Sequence, residues 1–106
     1  MKTEMYLRGR NDQYNAIAVY EDGTVTVKKG SVIRMSFADH IRGGKTAKEI
    51  RNDPAIVDEN GIVKKDCVFS SPSTAAQFVM GSSINGWEAW HIDKKTTLRK
   101  LVDSQE

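Results

Sequence analysis

Hydrophobic and polar positions alternate through the first quarter of the chain. Thr3, Met5 and Leu7 alternate with Glu4, Tyr6 and Arg8, a period of two that reads as an edge strand. From Tyr14 to Tyr20 the residues favour a strand, with Ile17 and Val19 on one face and Tyr14, Ala16, Ala18 and Tyr20 on the other. Asp22-Gly23 follows, and Val25 and Val27 then alternate with Thr24, Thr26 and Lys28. An Asp-Gly pair between two such runs predicts a hairpin, because its two-residue turn needs positive φ values that Asp and Gly tolerate. A further strand is predicted over Ser31–Ser36, and Asp39–Gly44 reads as a mobile loop.

The pattern then changes. Thr46-Ala47-Lys48-Glu49 fits a capping box that opens a short helix, and Asp53-Pro54 ends it, since proline pushes the residue before it out of helical geometry. Asn60-Gly61 marks a turn into a strand over Ile62–Phe69, with Val63, Lys65, Cys67 and Phe69 on one face. The next helix carries the clearest punctuation. Ser71 suits the N-cap, Pro72 the first helical position, and Gly81 the left-handed C-cap. Ala75, Phe78 and Val79 give it an apolar face, and a helix this short needs a sheet to pack on. Asn85-Gly86 predicts a turn into a strand over Trp87–Ile92, and Thr97 begins a last helix with Leu98, Leu101 and Val102 inward. The expected fold is α+β: a twisted, mainly antiparallel sheet with three short helices, formed by residues 1–106 as one domain.

Composition narrows the class. Hydrophobic residues at 39% and charged residues at 28% exclude a disordered chain. No apolar run approaches membrane-spanning length, and the N-terminus has no apolar signal core, so a cytoplasmic protein without membrane attachment is expected. The lone Cys67 cannot form an internal disulfide and suits a reducing compartment. A net charge of +2 is too small to point to nucleic acid by its sum. Its distribution says more, because Lys28, Lys29, Arg34, Arg42, Lys45, Lys48 and Arg51 face only Asp39 and Glu49 in that stretch.

The run Phe69-Ser70-Ser71-Pro72-Ser73-Thr74-Ala75-Ala76, then Gly81, then Asn85-Gly86-Trp87 and Trp90, resembles the uncharacterised domain often found C-terminal to GIY-YIG nuclease domains. It is also similar to the related RAMA (restriction enzyme and adenine methylase associated) domain. Val27-Lys28-Lys29-Gly30-Ser31 resembles a Val-Leu-Lys-Gly-Ser stretch of the first family, and Asp93–Leu101 resembles its closing segment, with Lys94 where a glycine is common. The resemblance spans Met5 to Leu101. It implies a non-catalytic module that recognises DNA, modified DNA included, within restriction–modification or nuclease systems. These 106 residues include no nuclease domain, which implies an accessory or stand-alone role.

Each candidate contact residue also has a structural use. Ser70, Ser71 and Ser73 surround a helix N-terminus, where backbone N–H groups and the dipole attract an anion such as phosphate; capping is the commoner role of such serines. Trp87 and Trp90 can stack on an unpaired base or fill the core. Three apart on a strand, they would point to opposite faces, one inward and one accessible. Asn85 can read adenine, though an Asn before Gly is first a turn residue. Lys28, Lys29, Arg34, Arg42, Lys45 and Lys48 can form a phosphate-facing surface, with Lys48 and Arg51 on one helix face.

Catalysis is not expected. Cys67 lies on the face predicted to be buried, where a thiol is usually inert. His40 and His91 lack metal-ligand spacing, and Gly43-Gly44-Lys45-Thr46 lacks the upstream glycine of a phosphate loop, position 38 being Ala38. No cofactor or metal is therefore anticipated. The expected partner is DNA; the alternative is a protein-interaction module that docks onto a separately encoded nuclease or methylase.

Overall fold

The computed structural model describes residues 2–9, 13–35, 45–82 and 84–104, without the side chains of Lys45 and Thr46. Its centre is an antiparallel meander of β1 (Lys2–Arg8), β2 (Asn15–Glu21) and β3 (Thr24–Val27). The predicted Asp22-Gly23 turn joins β2 to β3, with φ of 49° and 90° at its two residues and Glu21 opposite Thr24. Short strands complete the sheet on both sides. They are β4 (Cys67–Phe69) beside β3, β5 (His91–Asp93) beside β1, and β6 (Thr96–Thr97) outermost. The order is β4-β3-β2-β1-β5-β6, antiparallel throughout. The fold is α+β, as expected.

One face of this open sheet is apolar and covered. Met5, Leu7, Ala16, Ala18, Tyr20, Val25, Val27, Cys67 and Phe69 are all buried on it. Across from them lies α2 (Pro72–Met80), with Ala75, Ala76, Phe78 and Val79 fully buried. The alanines on both sides let helix and sheet approach closely, while Phe78 meets Phe69 at 5.0 Å between ring centroids. Helix α2 follows its sequence signals. Ser71 Oγ accepts the Thr74 N–H at 3.2 Å, Pro72 opens the helix, and Gly81 closes it at φ 70°. Around it sit α1 (Lys45–Arg51), α3 (Gly86–Ala89) and α4 (Leu98–Asp103), the last capped by Thr97 as predicted. The other sheet face is open, with Ile17 and Val68 exposed on it.

Five predicted elements differ. Strand β1 is interior, because β5 arrives from the far end of the chain and pairs Tyr6 with His91. Ser31–Ser36 is no regular strand: only Val32 bridges, to Asn15 and Ile62, and Ser36 lies outside the described residues. Ser31 takes the place of a ladder residue, its hydroxyl accepting from Ile17 N at 3.1 Å and donating to Ile17 O at 3.2 Å. The run Ile62–Phe69 is broken. Ile62 and Val63 bridge to Val32 and Val57, whereas only Cys67–Phe69 joins β3. Thr46 lies within α1 rather than at its cap. Finally, Trp87–Ile92 begins as a helical turn, α3, and becomes a strand only at His91, which makes four helices among the described residues where three were expected. The loop predicted at Asp39–Gly44 lies outside the described residues.

Phe78→Ala removes the ring at the centre of this layer and is expected to cost about 3–5 kcal/mol. Urea denaturation checks it, through a lower midpoint at an unchanged slope.

Candidate functional site

The motif-rich segment Phe69–Trp90 folds onto itself. Asn85 caps α3, its Oδ1 accepting the Trp87 N–H at 3.0 Å. The following Gly86 is not among the positive-φ glycines of the chain. Space is what requires it there. A Cβ at Gly86 would lie 2.2 Å from the carbonyl of Pro72 and 2.5 Å from the Ser73 nitrogen, inside any permitted contact. Two hydrogen bonds tie the same junction: Gly86 N–H donates to Ser73 Oγ at 3.0 Å, and the fully buried Trp90 indole donates to the Pro72 carbonyl at 3.0 Å. The start of α2 is thereby closed. Pro72 has no N–H, Thr74 N–H goes to Ser71, and Gly86 lies against Ser73 N.

Of the candidates in this segment, Ser71, Ser73, Asn85 and Trp90 each make a structural hydrogen bond. One tryptophan is core and one more accessible, as anticipated, but the strand geometry behind that expectation is not what separates them. Trp90 ends α3 pointing into the core, whereas Trp87, on the helical turn, is half-buried edge-on to Tyr20 at 5.8 Å. Ser70 is exposed.

The predicted basic surface falls in two places. At the end of β3, Lys28 Nζ pairs with Asp66 at 2.9 Å, and the Lys29 backbone N–H donates to the same carboxylate at 2.8 Å. The Lys29 N–H, and then the Lys28 ammonium, hold Asp66 below the usual carboxylate range. Beside α1, Arg34 lies next to Arg51, whose Nε donates to the Phe78 carbonyl at 2.9 Å near the C-terminal end of α2. Burial, and secondarily Arg34, lower the Arg51 guanidinium to about 10. Arg51 is thus drawn toward α2 rather than sharing an outward face with the exposed Lys48. Arg42 and the side chain of Lys45 lie outside the described residues.

A different set of side chains meets at the C-terminal end of β1. There the sheet is pinned only by the Tyr6–His91 pair, and an open cleft of about 390 Å³ forms beside it. Three rings line it: Tyr6, Tyr14 and His91. Arg8 and Lys94 supply positive charge, with the Arg8 guanidinium carbon 4.9 Å from the centre of the Tyr6 ring, a cation–π distance. Met80, Ile84 and Ala89 form its apolar wall, and no carboxylate lines it among the described residues. His91 Nδ1 lies 2.8 Å from the Ala89 carbonyl. A carbonyl only accepts, so Nδ1 carries the hydrogen and Nε2 is the remaining polar position of the ring. A hollow of similar size on the open sheet face, about 430 Å³, carries Glu21 and Asp22 and no ring.

Sequence reasoning did not find this cleft. Its residues come from β1, the entry to β2, the end of α2 and β5, and no local spacing connects them.

Among the described residues no group of three or more His, Cys, Asp or Glu could hold a metal ion. The Cys67 thiol is buried, and burial raises its pKa. No described helix is long and apolar enough to cross a membrane.

Comparison with protein-family models matches residues 5–102 to the Domain of unknown function (DUF4357). The chain belongs to that family. Searches of the curated proteins and of the solved structures find no match.

Gly86→Ala is expected to destabilise the chain by about 1–3 kcal/mol, because its Cβ meets backbone that cannot yield. Ser71→Ala should cost about 1 kcal/mol through the lost cap. Urea denaturation gives both values. The Trp90 indole proton should exchange with solvent only on global unfolding in the unsubstituted chain, and faster in Gly86→Ala.

Proposed function

We propose that this DUF4357 member is a non-catalytic nucleic-acid-binding module. The observation that carries this reading is the cleft beside β1, where Tyr6, Tyr14 and His91 meet Arg8 and Lys94 with no carboxylate among the described lining residues. Rings offer flat surfaces to bases, and guanidinium and ammonium groups offer charge to phosphates. The resemblance of Phe69–Trp90 to the nuclease-associated and RAMA domains supports the same class and suggests DNA as the nucleic acid. It also suggests an accessory role in restriction–modification or nuclease systems, in the cytoplasm. Arg8 and Lys94 replace the Lys28 group as the principal phosphate contacts, because Lys28 is already paired with Asp66. Lys29, Arg34 and Lys48 contribute long-range attraction.

A second reading is favoured by a separate observation. Ile17 and Val68 are 42% and 65% exposed on the open sheet face. Exposed aliphatic side chains on this otherwise polar face offer contact points for docking onto a separately encoded nuclease or methylase. Retention of such an enzyme by the chain after nucleic acid has been digested away, and its loss with Val68→Lys, would favour this second reading.

The leading reading is tested by titrating labelled DNA oligonucleotides at low and high salt. Binding should weaken steeply as salt rises, and Arg8→Gln and Lys94→Gln should each lower the salt slope by about 1. No binding of single-stranded or duplex DNA at about 50 mM salt would overturn it.

A further inference from the structure

We propose that the cleft beside β1 holds one unpaired nucleotide, with its base stacked on Tyr14 and its phosphate held by Arg8 and Lys94. This inference rests on the nucleic-acid reading and names the substrate of the same site.

The size of the cleft is the first argument. About 390 Å³ is at the small end of ligand pockets, roughly 300–1,000 Å³. It can admit a single nucleotide but not the width of a duplex. A paired base also hides its faces in the stack, so rings set in a pocket can reach a base only when it is unstacked.

The second argument is how Tyr14 is held. Gly9 N–H donates to the Tyr14 carbonyl at 2.9 Å, joining the end of β1 to the residue before β2. A Cβ on Gly9 would lie 2.4 Å from the Tyr14 ring. The ring therefore rests directly on the Gly9 backbone, and a glycine is needed for it to do so. One side of the ring is backed by main chain and the residue lines the cleft, which makes a stiff platform with little rotamer entropy left to lose on binding.

The third argument is the division of chemistry around that platform. The Tyr6 ring already has the Arg8 guanidinium over it and His91 tilted beside it, with centroids 6.3 Å apart. Tyr6 thus orients a cation, and Tyr14 is the ring left to stack. Lys94 lies in the β5–β6 turn and adds a second charge. The His91 hydrogen bond to Ala89 leaves Nε2 as an acceptor in the neutral ring, suited to an exocyclic amine of adenine or cytosine.

The experiment uses the full chain with three probes: a single-stranded oligonucleotide, its fully paired duplex, and a nucleoside monophosphate. NMR titration maps the site and fluorescence anisotropy gives the affinities. The single strand should bind more tightly than the duplex, with shifts centred on Arg8, Tyr14, His91 and Lys94. Tyr14→Ala should weaken single-strand binding roughly 5- to 150-fold, the equivalent of about 1–3 kcal/mol of stacking. Tyr14→Phe should retain it. Gly9→Ala should weaken it as well, although Tyr14 is still present. Should Tyr14→Ala not fold, Gly9→Ala and the wild-type shift map decide the matter.

The outcomes separate the two readings. Equal or tighter duplex binding, or unchanged binding by folded Tyr14→Ala and Gly9→Ala chains, overturns the cleft assignment and leaves the nucleic-acid module standing. A monophosphate that binds as tightly as the oligonucleotide, at the mapped cleft, supports the nucleotide site and overturns the nucleic-acid reading. Binding of none of the three probes overturns both.

Discussion

The carbonyl of Pro72 organises the covered side of this fold. It sits in the first turn of α2, faces the backbone of Gly86, and accepts the indole N–H of Trp90 inside the core. Any side chain at position 86 would force α3 away from α2. Loss of the indole contact would leave a buried polar group without its partner, at a cost of about 1–3 kcal/mol. Ser71 caps the start of α2, and Ser73 and Asn85 both hold the start of α3 against it. Residues that might have been read as a recognition surface are thus occupied in holding two helices together.

That division of labour separates the motif-rich segment from the cleft beside β1. A dense run of Ser, Pro, Asn, Gly and Trp is needed wherever two helix starts are packed against each other at backbone contact. The cleft beside β1 is built from residues brought together by the sheet, and its aromatic and basic side chains can vary without disturbing the α2–α3 junction. Lys94, standing in the β5–β6 turn, belongs to this second set.

Elements with their own local signals were legible in the chain. Ser71, Pro72 and Gly81 defined α2 at both ends, Asp22-Gly23 defined its hairpin, and Thr97 opened α4. Elements that depend on distant partners were not. The interior place of β1 requires β5, and the break before β4 follows from Asp66 turning to Lys28 and Lys29. The Asn85-Gly86 pair was ambiguous in kind. The same two residues serve a turn through positive φ or a helix start through capping and close approach, and only the position of Pro72 decides between them. Alternation put Val63, Lys65, Cys67 and Phe69 on one face; Val63, Cys67 and Phe69 are buried, but Lys65 is exposed, in the break between the Val63 bridge and β4. For the site, nothing in the spacing of Tyr6, Tyr14 and His91 connects them, because the link is the antiparallel register of β1 with its neighbours.

The route of the chain beneath the sheet has a consequence for its motions. Between β4 at one edge and β5, the strand just inside the outermost β6, the backbone passes through α2 and α3, crossing the covered face from side to side. Short edge strands ordinarily fray independently, each opening at little cost to the rest. Here β4 and the β5–β6 pair are successive ends of one strap fastened at its middle by Pro72, Gly86 and Trp90. Detaching either edge pulls on that fastening, and releasing the fastening frees both. The sheet thereby behaves as a closed frame although no strand pairs its edges, and the cleft at the β1–β5 seam is held in shape by a contact buried elsewhere.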